Sequence, residues 1–114
     1  YQIYTGKSQV SEGIHLSSAL KAAVAEAIEI GTALASINGG SGSIPPDVSS
    51  NAGAYVESLG VVAGTIVATM KTVAVSPCVI GASVRLEPSV PTVAGEPIQW
   101  TCTSTASCRP NTCN

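Results

Sequence analysis

The sequence predicts an α+β domain: a long N-terminal helix packed on a three- to four-stranded antiparallel sheet and closed by a C-terminal disulfide loop. Three observations predict it. Apolar residues in the first third recur at alternating steps of four and three, whereas those after residue 54 recur at steps of two. No helical stretch separates the later runs, so consecutive strands pair antiparallel. The four cysteines, Cys78, Cys102, Cys108 and Cys113, all fall in the last third, an even count that reads as two disulfides in an oxidising compartment. At 114 residues the chain fits a single domain, 1–114.

The helix is expected over residues 1–30. Leu16, Leu20, Ala23, Ala27, Ile30 and Leu34 form its apolar stripe, widened by Val24 and Ile28. Lys7, Glu12, Lys21, Glu26 and Glu29 lie mostly off that stripe. Gly31 is the first stop signal and Asn38-Gly39-Gly40 a stronger one. No Ser, Thr, Asp or Asn cap precedes the first helical residues, and the chain begins at Tyr1 without a signal peptide. Both features predict a helix cut open at residue 1, with a preceding segment removed. Tyr1, Ile3, Tyr4, Val10 and Ile14 make a second apolar track along about 20 Å of helix. That half is expected to project from the domain and to find partners outside the monomer.

Residues 38–53 read as loop, because Gly, Ser, Asn and Pro45-Pro46 forbid helix or central strand. The αβ connection is expected to reach residue 60, with a short edge strand at 55–59 and the main sheet over 61–103. Ile66, Ala68 and Met70 alternate with Thr65, Val67 and Thr69, and Ile80, Ala82, Val84 and Leu86, then Ile98, Trp100 and Cys102, likewise alternate with a largely polar face. Placing Leu86 opposite Ile98 brings Cys78 near residue 106, which favours Cys78 with Cys108 and leaves Cys102 with Cys113. The second bond would close the 102–113 loop, whose residues between the cysteines carry almost no large apolar group.

Composition excludes several functions. Phe is absent, Trp occurs once, and Ala and Val supply most of the apolar content. Charged residues are 11%, against about 25% in an average soluble domain. The net charge is −2 and the five cations are scattered. No basic face exists for a phosphate backbone, which excludes sequence-specific nucleic acid as a partner. A low-charge, small-residue surface suits packing against copies of the same chain. No Cys-x-x-Cys is present and the single His15 is distant, so the cysteines do not read as a zinc site. No run of 18 apolar residues would span a membrane.

Catalytic chemistry has no visible seat. His15 has only Glu12 nearby, one turn back, and reads as a solvated helix-face histidine. Asp47, Glu57, Glu87 and Glu96 are dispersed and read as surface acids. Gly39-Gly40-Ser41-Gly42-Ser43 lacks the Lys-Ser/Thr of a phosphate loop and precedes Pro45 rather than a helix, so it reads as a flexible loop. No enzyme, cofactor or metal is expected.

Three segments resemble a type IV pilin. Residues 1–12 (YQIYTGKSQVSE) look like the helix segment after the pilin transmembrane stretch. Leu59-Gly60-Val61-Val62 with Gly64-Thr65-Ile66-Val67-Ala68 looks like the family's central strand. Ile98-Gln99-Trp100-Thr101-Cys102-Thr103-Ser104 with Pro110-Asn111-Thr112-Cys113-Asn114 resembles its C-terminal disulfide loop. The resemblance implies a pilin-like roll, here the globular domain of a major pilin without its N-terminal transmembrane helix. It also implies a methylated amino terminus on that missing piece, an inner-membrane precursor, an assembly machinery, and a homopolymer displayed at the cell surface.

By that resemblance the filament supports adhesion, twitching motility and DNA uptake. Thr103, Ser104, Thr105, Ala106, Ser107, Arg109, Pro110, Asn111 and Thr112 become the receptor-binding loop, with a host glycan as the expected ligand. Tyr1, Ile3, Tyr4, Val10 and Ile14 become filament contacts. The Cys78–Cys108 pair departs from the many relatives that have only the terminal disulfide. Alternative readings are a type II secretion pseudopilin, a monomeric secreted glycan-binding module and a small secreted hydrolase. Pseudopilins commonly replace the disulfide with a calcium loop, and residues 103–114 hold no carboxylate side chain for that cation.

Overall fold

A computed structural model describes residues 2–93 and 95–113, with side chains of the first helix from Tyr4 onward. Two helices in line, α1 (Gln2–Ser18) and α2 (Lys21–Glu29), lead through a short 3₁₀ turn, Leu34–Ser36, to four strands. These are β1 (Val56–Val62), β2 (Thr65–Met70), β3 (Ser83–Pro88) and β4 (Trp100–Ser104). The sheet is an antiparallel meander in the order β1-β2-β3-β4.

α1 and α2 make one rod. At the junction the Leu20 amide donates to the Ser17 carbonyl at 3.0 Å, tightening one turn, while Leu20 itself keeps helical angles (φ −90°, ψ −10°). The Ser17-Ser18 pair sits where such a tightening is tolerated. The rod ends as Gly31 predicts. Gly31 adopts φ +91°, its amide reaches the Ile28 carbonyl, and the Thr32 amide reaches that of Ala27, each at 3.0 Å.

The buried face of α1 differs from the expected one. Gly6, Gln9, Val10, Gly13 and Ser17 are buried, with Gly6 and Gln9 against the 71–82 loop and Val10 and Gly13 against the sheet. A side chain at Gly6 would overlap both sulfurs of the Cys78–Cys108 bond, and one at Gly13 would meet Met70 Sδ at 3.2 Å. The first half of the helix therefore lies on its own domain instead of projecting from it. Small residues let its backbone approach closely. Val10, expected as a filament contact, is 0% exposed and belongs to the core with Val56, Ala68, Met70 and Val84. A second cluster under α2 joins Val24, Ile28, Ile37, Ile44, Val61, Ile66 and Leu86.

Strand parity matches the alternation: Val61, Ile66, Ala68, Met70, Val84 and Leu86 are buried. The β3–β4 register does not match. Leu86 lies opposite Cys102 rather than Ile98. A turn in which the Glu96 amide donates to the Val93 carbonyl, with Gly95 at φ +88°, places the centre of the hairpin two residues later. Ile80 falls in a turn before β3 and is 53% exposed. The sheet also starts at Val56 rather than residue 61. β1 is a full edge strand whose bulge at 56–58 obscures its alternation. The central-strand likeness therefore covers an edge strand and its neighbour.

Candidate functional site

Two disulfides shape the C-terminal segment. Cys102–Cys113 ties the end of the chain to β4, with the Cα atoms 4.7 Å apart, and Cys78–Cys108 ties the middle of the segment to the loop before β3, at 5.8 Å. Hydrogen bonds complete the shape. The Ser83 amide donates to Thr105 Oγ1 at 2.9 Å and the Thr105 amide to the Ser83 carbonyl at 3.1 Å. The Ala106 amide donates to Ser104 Oγ at 3.2 Å, Arg109 Nη1 to the Ala106 carbonyl at 3.0 Å, and the Cys113 amide to the Pro110 carbonyl at 3.0 Å.

The result is a fixed polar surface. Thr105, Ser107, Arg109, Asn111 and Thr112 are exposed. Ser107, Arg109, Pro110, Asn111 and Cys113 line a shallow hollow of about 290 Å³. Thr103 and Ser104 belong to the end of β4, and Pro110 is half-buried. Ala106, expected among the receptor-contacting residues, is 1% exposed and packs in the core instead, because the two bonds draw the segment inward on either side of it.

The helix offers the second surface. Tyr4, Ser8, His15, Ala19, Ala22 and Glu26 are exposed along the side away from the sheet. Ile14 is half-buried against the core. Tyr1 lies outside the described residues, as does the Ile3 side chain.

Polar hooks hold the rod down, and the sequence pattern did not reveal them. Gln9 is 7% exposed, and its Oε1 accepts from the Ser76 amide at 2.8 Å. The Glu12 carboxylate accepts from the amides of Tyr55 at 2.7 Å and Ala54 at 3.3 Å. Glu12 is thereby spent on backbone, while His15 remains an exposed helix-face residue. The one available signal was Gln9 itself, a long polar side chain at helical spacing from Gly6 and Gly13.

The 38–53 segment is anchored, contrary to its flexible composition. Asn38 Oδ1 accepts from the Ala63 amide at 2.9 Å, and Asp47 Oδ1 from the Val61 amide at 3.2 Å. Val48 bridges Leu59, extending the sheet past β1. Amides of Gly39, Gly40, Ser41 and Ile44 donate to backbone carbonyls, so the glycine run does not offer them as an anion cradle. Among the described residues no group of three or more His, Cys, Asp or Glu could hold a metal ion, and no helix is long and apolar enough to cross a membrane.

A family model described as pilin (bacterial filament) matches residues 6–114. No curated protein matches the chain. With an N-terminal helix on a four-stranded antiparallel sheet and a disulfide-tied C-terminus over that matched span, the chain belongs to the pilin family, as a type IV pilin and a structural subunit of a bacterial surface filament.

Proposed function

We propose that the filament built from this subunit is an adhesive one, contacting host glycans through residues 103–112, and that the same filament serves twitching motility and DNA uptake. One observation carries the reading. Both disulfides converge on a segment whose exposed residues are polar, so hydroxyl, amide and guanidinium groups are presented in a fixed arrangement. A preordered polar hollow loses little conformational entropy on meeting a sugar. Any DNA contact belongs to the assembled surface, since each copy carries only five cations.

Tyr4 and the exposed side of the helix are the filament contacts in this reading, with Ile14 at their margin and Val10 excluded by its burial. The subunit passes from an inner-membrane precursor through an assembly machinery to the surface. Apolar burial drives the assembly, at about 25 cal/mol per Å². The test compares filaments carrying Arg109→Ala with Asn111→Ala to wild type for attachment to glycan-coated surfaces. Filament number is expected to be unchanged and attachment at least tenfold lower. Unchanged attachment refutes the glycan contact and leaves the filament in place.

A further inference from the structure

A polymer that does not close into a ring needs two different, complementary surfaces on each copy. This molecule carries such a pair at the ends of its long axis. From Tyr4 to Ile28 the rod rises about 36 Å at 1.5 Å per residue, most of the 46 Å length. At the α2 end, Ile28, Val90, Pro91 and Val93 line an open cleft of about 350 Å³, together with Glu29 and Glu96. Val90 and Val93 are 51% and 61% exposed there.

At the α1 end, the 71–82 loop folds against the helix, with Val79 beside Gly6 and the Ser76 amide on Gln9. That loop presents Val73 and Ile80, 71% and 53% exposed. Lys7 follows Gly6 on the helix, and the Lys71 carbonyl accepts from the amide of Gly81, next to Ile80. One end is a cleft whose lining mixes exposed valines with carboxylates, and at the other the exposed Val73 and Ile80 have Lys7 and Lys71 close by along the backbone.

We propose that these ends mate: the Val73–Ile80 tip of one copy seats in the Ile28–Val90–Val93 cleft of the next, with Lys7 and Lys71 facing Glu29 and Glu96. The proposal rests on the filament that the family forms, and adds which surfaces meet between successive globular domains. Apolar burial supplies attraction and charge sets polarity, because two like ends would oppose Glu with Glu or Lys with Lys.

The test uses the full-length chain assembled into filaments in cells, counted by electron microscopy after shearing. Glu29→Lys with Glu96→Lys is expected to lower the yield at least tenfold, as is Lys7→Glu with Lys71→Glu. The fourfold variant is expected to recover at least half of the wild-type yield. A photo-crosslinking residue replacing Ile80 is expected to attach to the 90–96 segment of a neighbouring copy. Melting temperatures of the variant domains check folding, and where one falls the crosslink alone decides. Wild-type yields in both charge-reversed variants, no recovery in the fourfold variant, or an adduct away from 90–96 overturns the contact. A wild-type chain that forms no filament overturns the filament reading as well, an outcome distinct from the others.

Discussion

Truncating Val10 to alanine separates a helix that lies on its own sheet from one that projects toward a neighbour. A residue facing outward would leave monomer stability within about 0.5 kcal/mol of wild type. Val10 instead has no exposed surface and sits in the cluster with Val56, Ala68, Met70 and Val84. Removing its two buried methyl groups forfeits about 1.6 kcal/mol of transfer free energy. The void left behind, roughly 50 Å³ if the walls do not relax, adds about 1.2 kcal/mol. Alanine is the better helix former by about 0.5 kcal/mol, which offsets part of this. The expected net loss is about 2 kcal/mol. The measurement is a urea titration of the oxidised chain, read by linear extrapolation with the slope held in view. The midpoint should fall by on the order of 1 M with an unchanged slope. Tyr4→Ala, at 76% exposure, is the control and should stay at wild type. A Val10→Ala change no larger than that of Tyr4→Ala would refute the packing of α1 onto the sheet.

Gly6→Ala places a methyl group on the Cys78–Cys108 sulfurs and is expected to lower stability by about 1–2 kcal/mol despite its better helix propensity. In a Cys78→Ala/Cys108→Ala background the sign should reverse, which a double-mutant cycle of thermal melts would read. Ala63 holds φ +49° beside Gly64 at φ +82° in the β1–β2 turn, so Ala63→Asn should raise stability by about 0.5–1 kcal/mol and the melting temperature with it. Glu12→Ala removes the acceptor for the Tyr55 and Ala54 amides and should cost about 1–2 kcal/mol. Amide exchange at Tyr55 should then quicken at least tenfold, whereas Glu12→Gln should keep most of the protection.

The parts of this fold legible in the sequence are those with a local chemical cause. Gly31 stops the helix because only a left-handed residue completes that cap, and the period-two runs of 66–70 and 82–86 bury the side chains they promise. The register of β3 on β4 was not legible. A slip of four residues keeps every side chain on its own face, so alternation cannot detect it, and the turn from Val93 to Glu96 decides. The cysteines marked the C-terminal loop, yet nothing local distinguished Ala106, which turns inward, from Ser107, which does not. The helix face was misread for a third reason. Hydrophobic periodicity weights large side chains, whereas the contact is made by Gly6, Gly13 and Ser17, whose contribution is the bulk they lack.

That same smallness bears on how the subunit works. A helix held by large apolar side chains would keep its axis well away from the sheet. This one approaches closely on its inner side, and the hooks from Gln9 and Glu12 fix its rotation where small residues alone would let it slide. Fixing the rotation fixes the opposite face as well. Ser8, Ala19 and Ala22 are small there, while Tyr4, His15 and Glu26 stand out between them, so a neighbouring helix would seat over the small residues and between the large ones. On the proposed reading, the polar hooks therefore serve assembly although they touch no neighbour: by holding the helical rod at one angle, they aim its outer face at the next subunit.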